Sequence, residues 1–329
     1  MKRSLALFAL LVPLLAQAAD PVPVVVKLGS LAPKESPWGQ VLKVWIKAVK
    51  EKSNGTLAVE IFWNGTQGDE AAQISKLKTG QLDGAIVTSV GLAQVHSDVI
   101  ALQMPGLFEN WEQLDKAREA MRPDFEKAFK AKGFELVGWG DVGLDHPISK
   151  GYLVKLPTDF KGKRPWAWRE DPIVPAILQA IGGVQPHLTS VPEVLPELSV
   201  GNIDGMSTSA IAAEQLQWSP RLDSINTLVV APNIGGVIAA SSSLARLSPE
   251  HRKILMETGA LATKALTERI RIEDAKAFER LKKRMTVHEP TPAEREAWKK
   301  VFADARQRLA RGTFSPELVK RVEGLAGVK

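Results

Sequence analysis

The sequence predicts an α/β protein of two related lobes with mixed or parallel sheets and a cleft between them. Three observations carry that prediction. Strands and amphipathic helices alternate near the N-terminus, one motif recurs in both halves, and a long unbroken helical stretch follows them. The 329 residues are 44% hydrophobic and 24% charged, an ordinary globular balance. At roughly 150 residues per domain that length suits two cores.

Ahead of the fold stand Lys2 and Arg3, the apolar run Leu5 to Leu15, and Ala16-Gln17-Ala18. Together they read as a cleavable export signal over residues 1–18, cut near Ala18/Ala19. The run is shorter than the roughly 20 residues a bilayer requires. No later stretch is an unbroken apolar run of that length, so an exported chain that does not itself span a membrane is expected. No cysteine stands at the cut to carry a lipid.

Val24 to Leu28 is a β-branched run that ends at Gly29, and Trp38 to Lys52 follows with helical periodicity. Leu57 to Trp63 alternates as a strand and closes at the turn pair Asn64-Gly65. Asp69 to Lys78 reads as a helix stopped by Gly80, and Leu82 to Thr88 as the next strand. The block Lys76 to Gly84 shares with Glu197 to Gly205 the pattern Leu-x-x-Gly-x-(Leu/Ile)-Asp-Gly. Its first glycine suits a left-handed helix end, and Asp-Gly opens a strand whose backbone passes close to a neighbour. Ser248-Pro249-Glu250 then starts a helix that runs to about Met285 with only Gly259 to interrupt it. Its apolar positions are Ile254, Leu261, Leu266, Ile270, Phe278 and Leu281. At 1.5 Å per residue it reaches about 55 Å, enough to bridge both lobes. Pro290 and Pro292 end it, and Thr291 to Arg311 forms a further amphipathic helix. The expected division is 19–142 with 232–268 in one lobe, and 143–231 with 269–329 in the other.

The chemistry-bearing motifs are missing. There is no cysteine, and the five histidines show no metal-ligand spacing. The phosphate-binding loop, His-Glu-x-x-His and Gly-x-Ser-x-Gly are all absent. Asp69-Glu70 sits at a helix start, where acidic groups complement the dipole. Asp141, Asp145 and His146 have no nucleophile or further ligand at recognisable spacing. His146 and His187 read as structural histidines, and Trp38, Trp45, Trp63 and Trp298 as core residues. The net charge of +6 suggests an anionic partner, yet the bases are mixed with acids along helix faces such as Arg269 to Arg284. Catalysis, metal, cofactor and nucleic acid are therefore not expected. A monomer that closes two lobes on a small-molecule solute is.

Several blocks, in order, resemble the solute-binding subunits of TRAP transporters, the tripartite ATP-independent periplasmic systems. They are Phe62 to Glu70, Lys76 to Ala85, Met104 to Phe108, Leu156 to Gly162, and Glu193 to Gly205. The resemblance implies a two-lobed periplasmic binding protein fold with a central ligand cleft and a long helix spanning both lobes. It further implies solute capture in the periplasm, delivery to integral-membrane TRAP permease subunits, and no ATP, metal or cofactor. The alternative role is a stand-alone exported module, a sensor or carrier of lipid or apolar ligands.

The family commonly places a carboxylate-clamping arginine just after the block matched by Asp159 to Gly162; matching the two puts Trp166 at its place. A second, less universal arginine is replaced by Asp145. Two accounts follow. Arg164 or Arg169 restores an anion clamp, or the pocket has changed class. Trp166 and Trp168 share one face of an extended segment, and two indoles near Asp145 suit an apolar, aromatic, neutral or cationic ligand. Interior packing is the competing reading for either indole. Strand ends add Thr88 and Ser89 in one lobe and Ser207, Thr208 and Ser209 in the other, as ligand donors or as local caps. Ser30 to Pro33 should face the cleft, and Trp218 either closes over the ligand or packs at the hinge.

Overall fold

The structure, a computed structural model, describes residues 22–327. The expected export signal and its cleavage site near Ala18/Ala19 lie outside the described residues. Ten strands occur among those described: β1 (Val24–Ser30), β2 (Leu57–Phe62), β3 (Gly84–Thr88), β4 (Phe134–Ser149) and β5 (Trp166–Trp168) in the first half. The second half adds β6 (His187–Thr189), β7 (Gly205–Ser209), β8 (Ser224–Asn226), β9 (Ala231–Ala240) and β10 (Thr286–His288).

Eight of them form one mixed sheet in the order β10-β8-β4-β9-β3-β1-β2, with β7 on the far half of β4. β1, β2 and β3 are parallel, as their intervening helices Pro37–Lys52 and Glu70–Lys78 require. β4 and β9 are the long members, and they run antiparallel from Phe134↔Ala240 to Asp145↔Ala231. One end of β9 pairs with β3, whereas the far half of β4 pairs with β7 and β8. These two strands therefore cross from one lobe to the other. β5 and β6 make a separate parallel pair, held to β7 by a bridge between Pro165 and Gly205.

The long helix spans Pro249–Arg284, capped by the Ser248 side chain on the His251 N–H. It lies along β4. A Cβ on Gly259 would fall 2.3 Å from Val137 Cγ1, so only glycine allows the helix to approach this strand so closely. Leu255, Leu266, Ile270 and Leu281 are buried beneath it. Leu261, expected with them, is 64% exposed, because it sits on the outer side of the rod. The Thr291 capping box opens the next helix, Pro292–Gly312. No helix among the described residues is long and apolar enough to cross a membrane.

Candidate functional site

The ends of β1, β3 and β7, the strand β5, and the inner stretches of β4 and β9 surround a cavity of about 170 Å³. Ser30, Leu31, Ala32 and Pro33 line it as β1 runs out, and Trp38 closes in from the helix that follows. Trp38, assigned to the core, is thus a wall residue as well; its indole N–H donates to the Asp141 carbonyl at 3.3 Å.

The opposite wall is aromatic. Alternation on β5 puts Trp166 and Trp168 on one face, with ring centroids 6.3 Å apart and 26° between planes. Trp218 meets Trp166 edge-on at 5.4 Å. All three line the cavity, and each is also packed into the core, so the two readings of these indoles coexist. The Trp166 indole N–H donates to the Thr189 carbonyl at 3.3 Å. Trp168 reaches across to Asp69, donating to its Oδ2 at 2.7 Å. Asp69 also accepts the Glu70 N–H and so caps its own helix, as a helix-start acid should.

Glu70 behaves differently from the dipole partner expected beside Asp69. Its carboxylate faces the Ser89–Ala93 helix and accepts the Thr88 N–H (2.7 Å), the Thr88 hydroxyl (2.8 Å) and the Gly91 N–H (2.7 Å). Burial outweighs these donors and pushes its pKa up to about 8.

Three more carboxylates line the cavity. Asp141 is compensated: Arg118 and Arg271 each donate to it at 2.7 Å, and Asp115 completes the four-membered ion cluster. Asp171 accepts the Ile173 and Val174 N–H groups at the start of the Ile173–Ile181 helix; burial raises its pKa to about 6. Asp145 has only the Asn233 amide, 3.4 Å from each oxygen, which is the outer limit of a hydrogen bond. Burial, with Asp274 and Asp171 nearby, holds its pKa well above the usual carboxylate range. No arginine, lysine or histidine is among the residues lining the cavity.

Of the sequence-predicted site residues, Trp166, Trp168, Asp145, Thr88, Ser207, Thr208, Trp218 and Ser30 are brought to this one cavity. Ser89 and Arg169 are not. Ser89 is fully buried behind the wall, because the helix it begins turns inward. Arg169 points outward and half-exposed toward Glu193 at 3.8 Å, and Arg164 likewise pairs with Asp204 at 3.3 Å. Neither arginine lines the cavity. The hydroxyl of Thr88 is committed to Glu70 and to the Val90 N–H, whereas that of Ser207 is buried without a partner. Ser209 caps the Ala210–Gln215 helix. His146 packs against Phe278 and bonds the Leu228 carbonyl through Nδ1, as a structural histidine does; burial lowers its pKa to about 4.

Sequence reasoning missed Glu70, Asp171 and Asn233 as wall residues. Asp171 left a trace, standing just before Pro172 at a helix start. Asn233 left none, since only the register of β9 against β4 brings it to Asp145.

A family model described as bacterial extracellular solute-binding protein, family 7 (DctP) matches residues 28–312. The fold is similar to that of a sugar acid binding protein from Advenella mimigardefordensis solved with galactonate. There the TM-score is 0.86 at 17% identity, over 94% of this chain and 99% of that one. It is also similar to a TRAP periplasmic solute-binding protein from Sulfurospirillum deleyianum with bound succinate (TM-score 0.85, 18% identity, 92% and 98% covered). A solute-binding protein of Chromohalobacter salexigens is 23% identical over 177 residues, 54% of this chain and 52% of that protein. The chain spans about half the length, or less, of curated relatives such as this one.

Proposed function

The chain belongs to family 7 of the bacterial extracellular solute-binding proteins, the DctP family, and on that premise we propose that it is a receptor for a TRAP-type secondary transporter. It captures a small solute between its lobes outside the cytoplasm and hands it to the membrane permease, as a monomeric binding protein and not as an enzyme. Export through the N-terminal signal delivers it to the periplasm. The lobes divide where β4 and β9 cross, near residues 142 and 232, and they swing about those strands. Ligand that touches both walls stabilises the closed form by its differential affinity for it. The Trp168 indole, bonded to Asp69 at the start of the Glu70–Lys78 helix, supports such a closed state.

The solute is not a simple carboxylate. One observation carries this reading: the cavity wall combines four indoles with four carboxylates and no cationic side chain. An anion buried there would lack a counter-charge and would face acids instead. An apolar, aromatic or neutral molecule, or a cation, meets no such penalty. A second reading, a sugar-acid or dicarboxylate ligand, is favoured by what the two similar structures hold. Mass spectrometry of small molecules carried by the purified protein, with thermal-shift screening of acids, amines and neutral compounds, separates the two. The expected result is saturable stabilisation that is lost in Trp166→Ala. Stabilisation by succinate or a sugar acid that is lost in Arg169→Ala or Arg164→Ala, but kept in Trp166→Ala, overturns the reading.

A further inference from the structure

We propose that the cavity is an amine site, in which Asp145 and Asn233 hold the ammonium of a small aromatic amine while the Trp166, Trp168 and Trp218 indoles hold its apolar body. This rests on the non-carboxylate reading and names its ligand class.

Sheet register brings the two polar residues together. Asp145 on β4 stands opposite Ala231 on β9. Asn233 is two residues from that partner, so both side chains leave the same face of the sheet. Both line the cavity.

Their hydrogen bonding is incomplete in a way that matches an ammonium. Asn233 turns its amide N–H groups toward Asp145, which leaves its Oδ1 buried without a partner. Among the described residues, Asp145 accepts no side-chain hydrogen bond beyond those two long amide contacts. A primary ammonium has three N–H donors and no acceptor, and here three acceptors, the two Asp145 oxygens and Asn233 Oδ1, lie together with capacity unused.

Charge points the same way. Asp171 and Asp274 both raise the cost of ionising Asp145, and neither brings a cation with it. Asp141, by contrast, has two arginines of its own. A ligand cation is therefore the missing counter-charge for Asp145, and it lets that carboxyl ionise where burial alone opposes it. The indoles add attraction through the negative face of the ring, strongest where water is excluded. A neutral ligand would satisfy the indoles and leave the three acceptors idle.

Calorimetric titration of the whole exported chain with three molecules of nearly one shape tests this: 2-phenylethylamine, 2-phenylethanol and phenylacetate, at about pH 7.5, where the amine is protonated. The amine should bind about 30-fold more tightly than the alcohol, and phenylacetate most weakly of the three. Asp145→Asn should erase the amine's advantage while leaving alcohol binding within about threefold, which also reports that the variant is folded. Asn233→Ala should cost the amine about fivefold and the alcohol little. Alcohol binding as tight as the amine, or equal losses for both in Asp145→Asn, overturns the amine site and leaves the non-carboxylate reading standing. Phenylacetate binding most tightly overturns both. No binding of amine or alcohol up to about 10 mM also overturns the amine site as stated.

Discussion

At Gly80 and again at Gly201 the backbone turns left-handed, with φ of 74° and 81°. Three residues later Asp83 and Asp204 do the same job twice. Each accepts a backbone N–H, from Lys27 and from Arg164 (2.8 Å in both cases), and each pairs with an arginine. β3 and β7 follow, ending in Thr88 and Ser209, whose hydroxyls cap the short helices Ser89–Ala93 and Ala210–Gln215. A buried carboxylate then braces each helix start. In the first region it is Glu70, bonded to N–H groups 18 and 21 residues away. In the second it is Asp274, on the long helix, which accepts the Ile211 N–H (3.0 Å) and the Leu144 N–H (2.8 Å), 63 and 130 residues away. One sequence pattern therefore builds one local device, and what differs is its fastening. The first region closes on itself and presents its acid to the cavity. The second exists only once the long helix has docked, and its acid also holds β4.

That contrast can be broken most sharply at Asp274. Asp274→Ala leaves two buried N–H donors unpaired and should cost about 3 kcal/mol in urea denaturation. A loss below about 1 kcal/mol would mean that Ser209 holds the second helix alone. The next effect is read against pH. Because burial raises the Glu70 pKa to about 8, the folded chain keeps a proton that the unfolded chain has released above the ordinary value of 4.5. Stability therefore falls as pH rises from about 4.5 to about 8. Asp274, raised to about 6, contributes only below that value. Between pH 6 and 8, Glu70→Gln should remove a slope of at most about 1.4 kcal/mol per pH unit, and an unchanged slope would deny the first region its buried acid. The smallest test compares Gly80→Ala with Gly201→Ala. Neither site has any heavy atom within 4 Å of an added Cβ, so backbone strain acts alone. Each should cost about 1 kcal/mol, and unequal losses would break the equivalence of the two turns.

Much of this was legible because it is local. The left-handed glycines, the Asp69 and Ser248 caps, the Asn64-Gly65 turn and the long helix all follow from residues near one another in the chain. So did the aromatic wall, since Trp166, Ala167 and Trp168 need only an extended backbone to put both indoles on one side. What was hidden depends on pairing between distant segments. Glu70 and Asp274 look like ordinary surface acids of amphipathic helices until β3 and β7 are placed beside them. Leu261 shows the converse error, because an apolar residue on a long helix faces inward only where a sheet lies under that turn. The export signal and the lobe boundaries remain sequence readings.

The 36-residue helix touches Trp45 through Thr258, β4 through Gly259 and Asp274, and Glu214 through Arg280. If the lobes swing as proposed, this spar, about 54 Å long, pivots on one set of its attachments while the other slides or lets go. Turned by ten degrees about one end, it would carry the far tip roughly 9 Å. In that motion a small yielding near Glu214 and Arg280 would become a wide displacement at the opposite lobe.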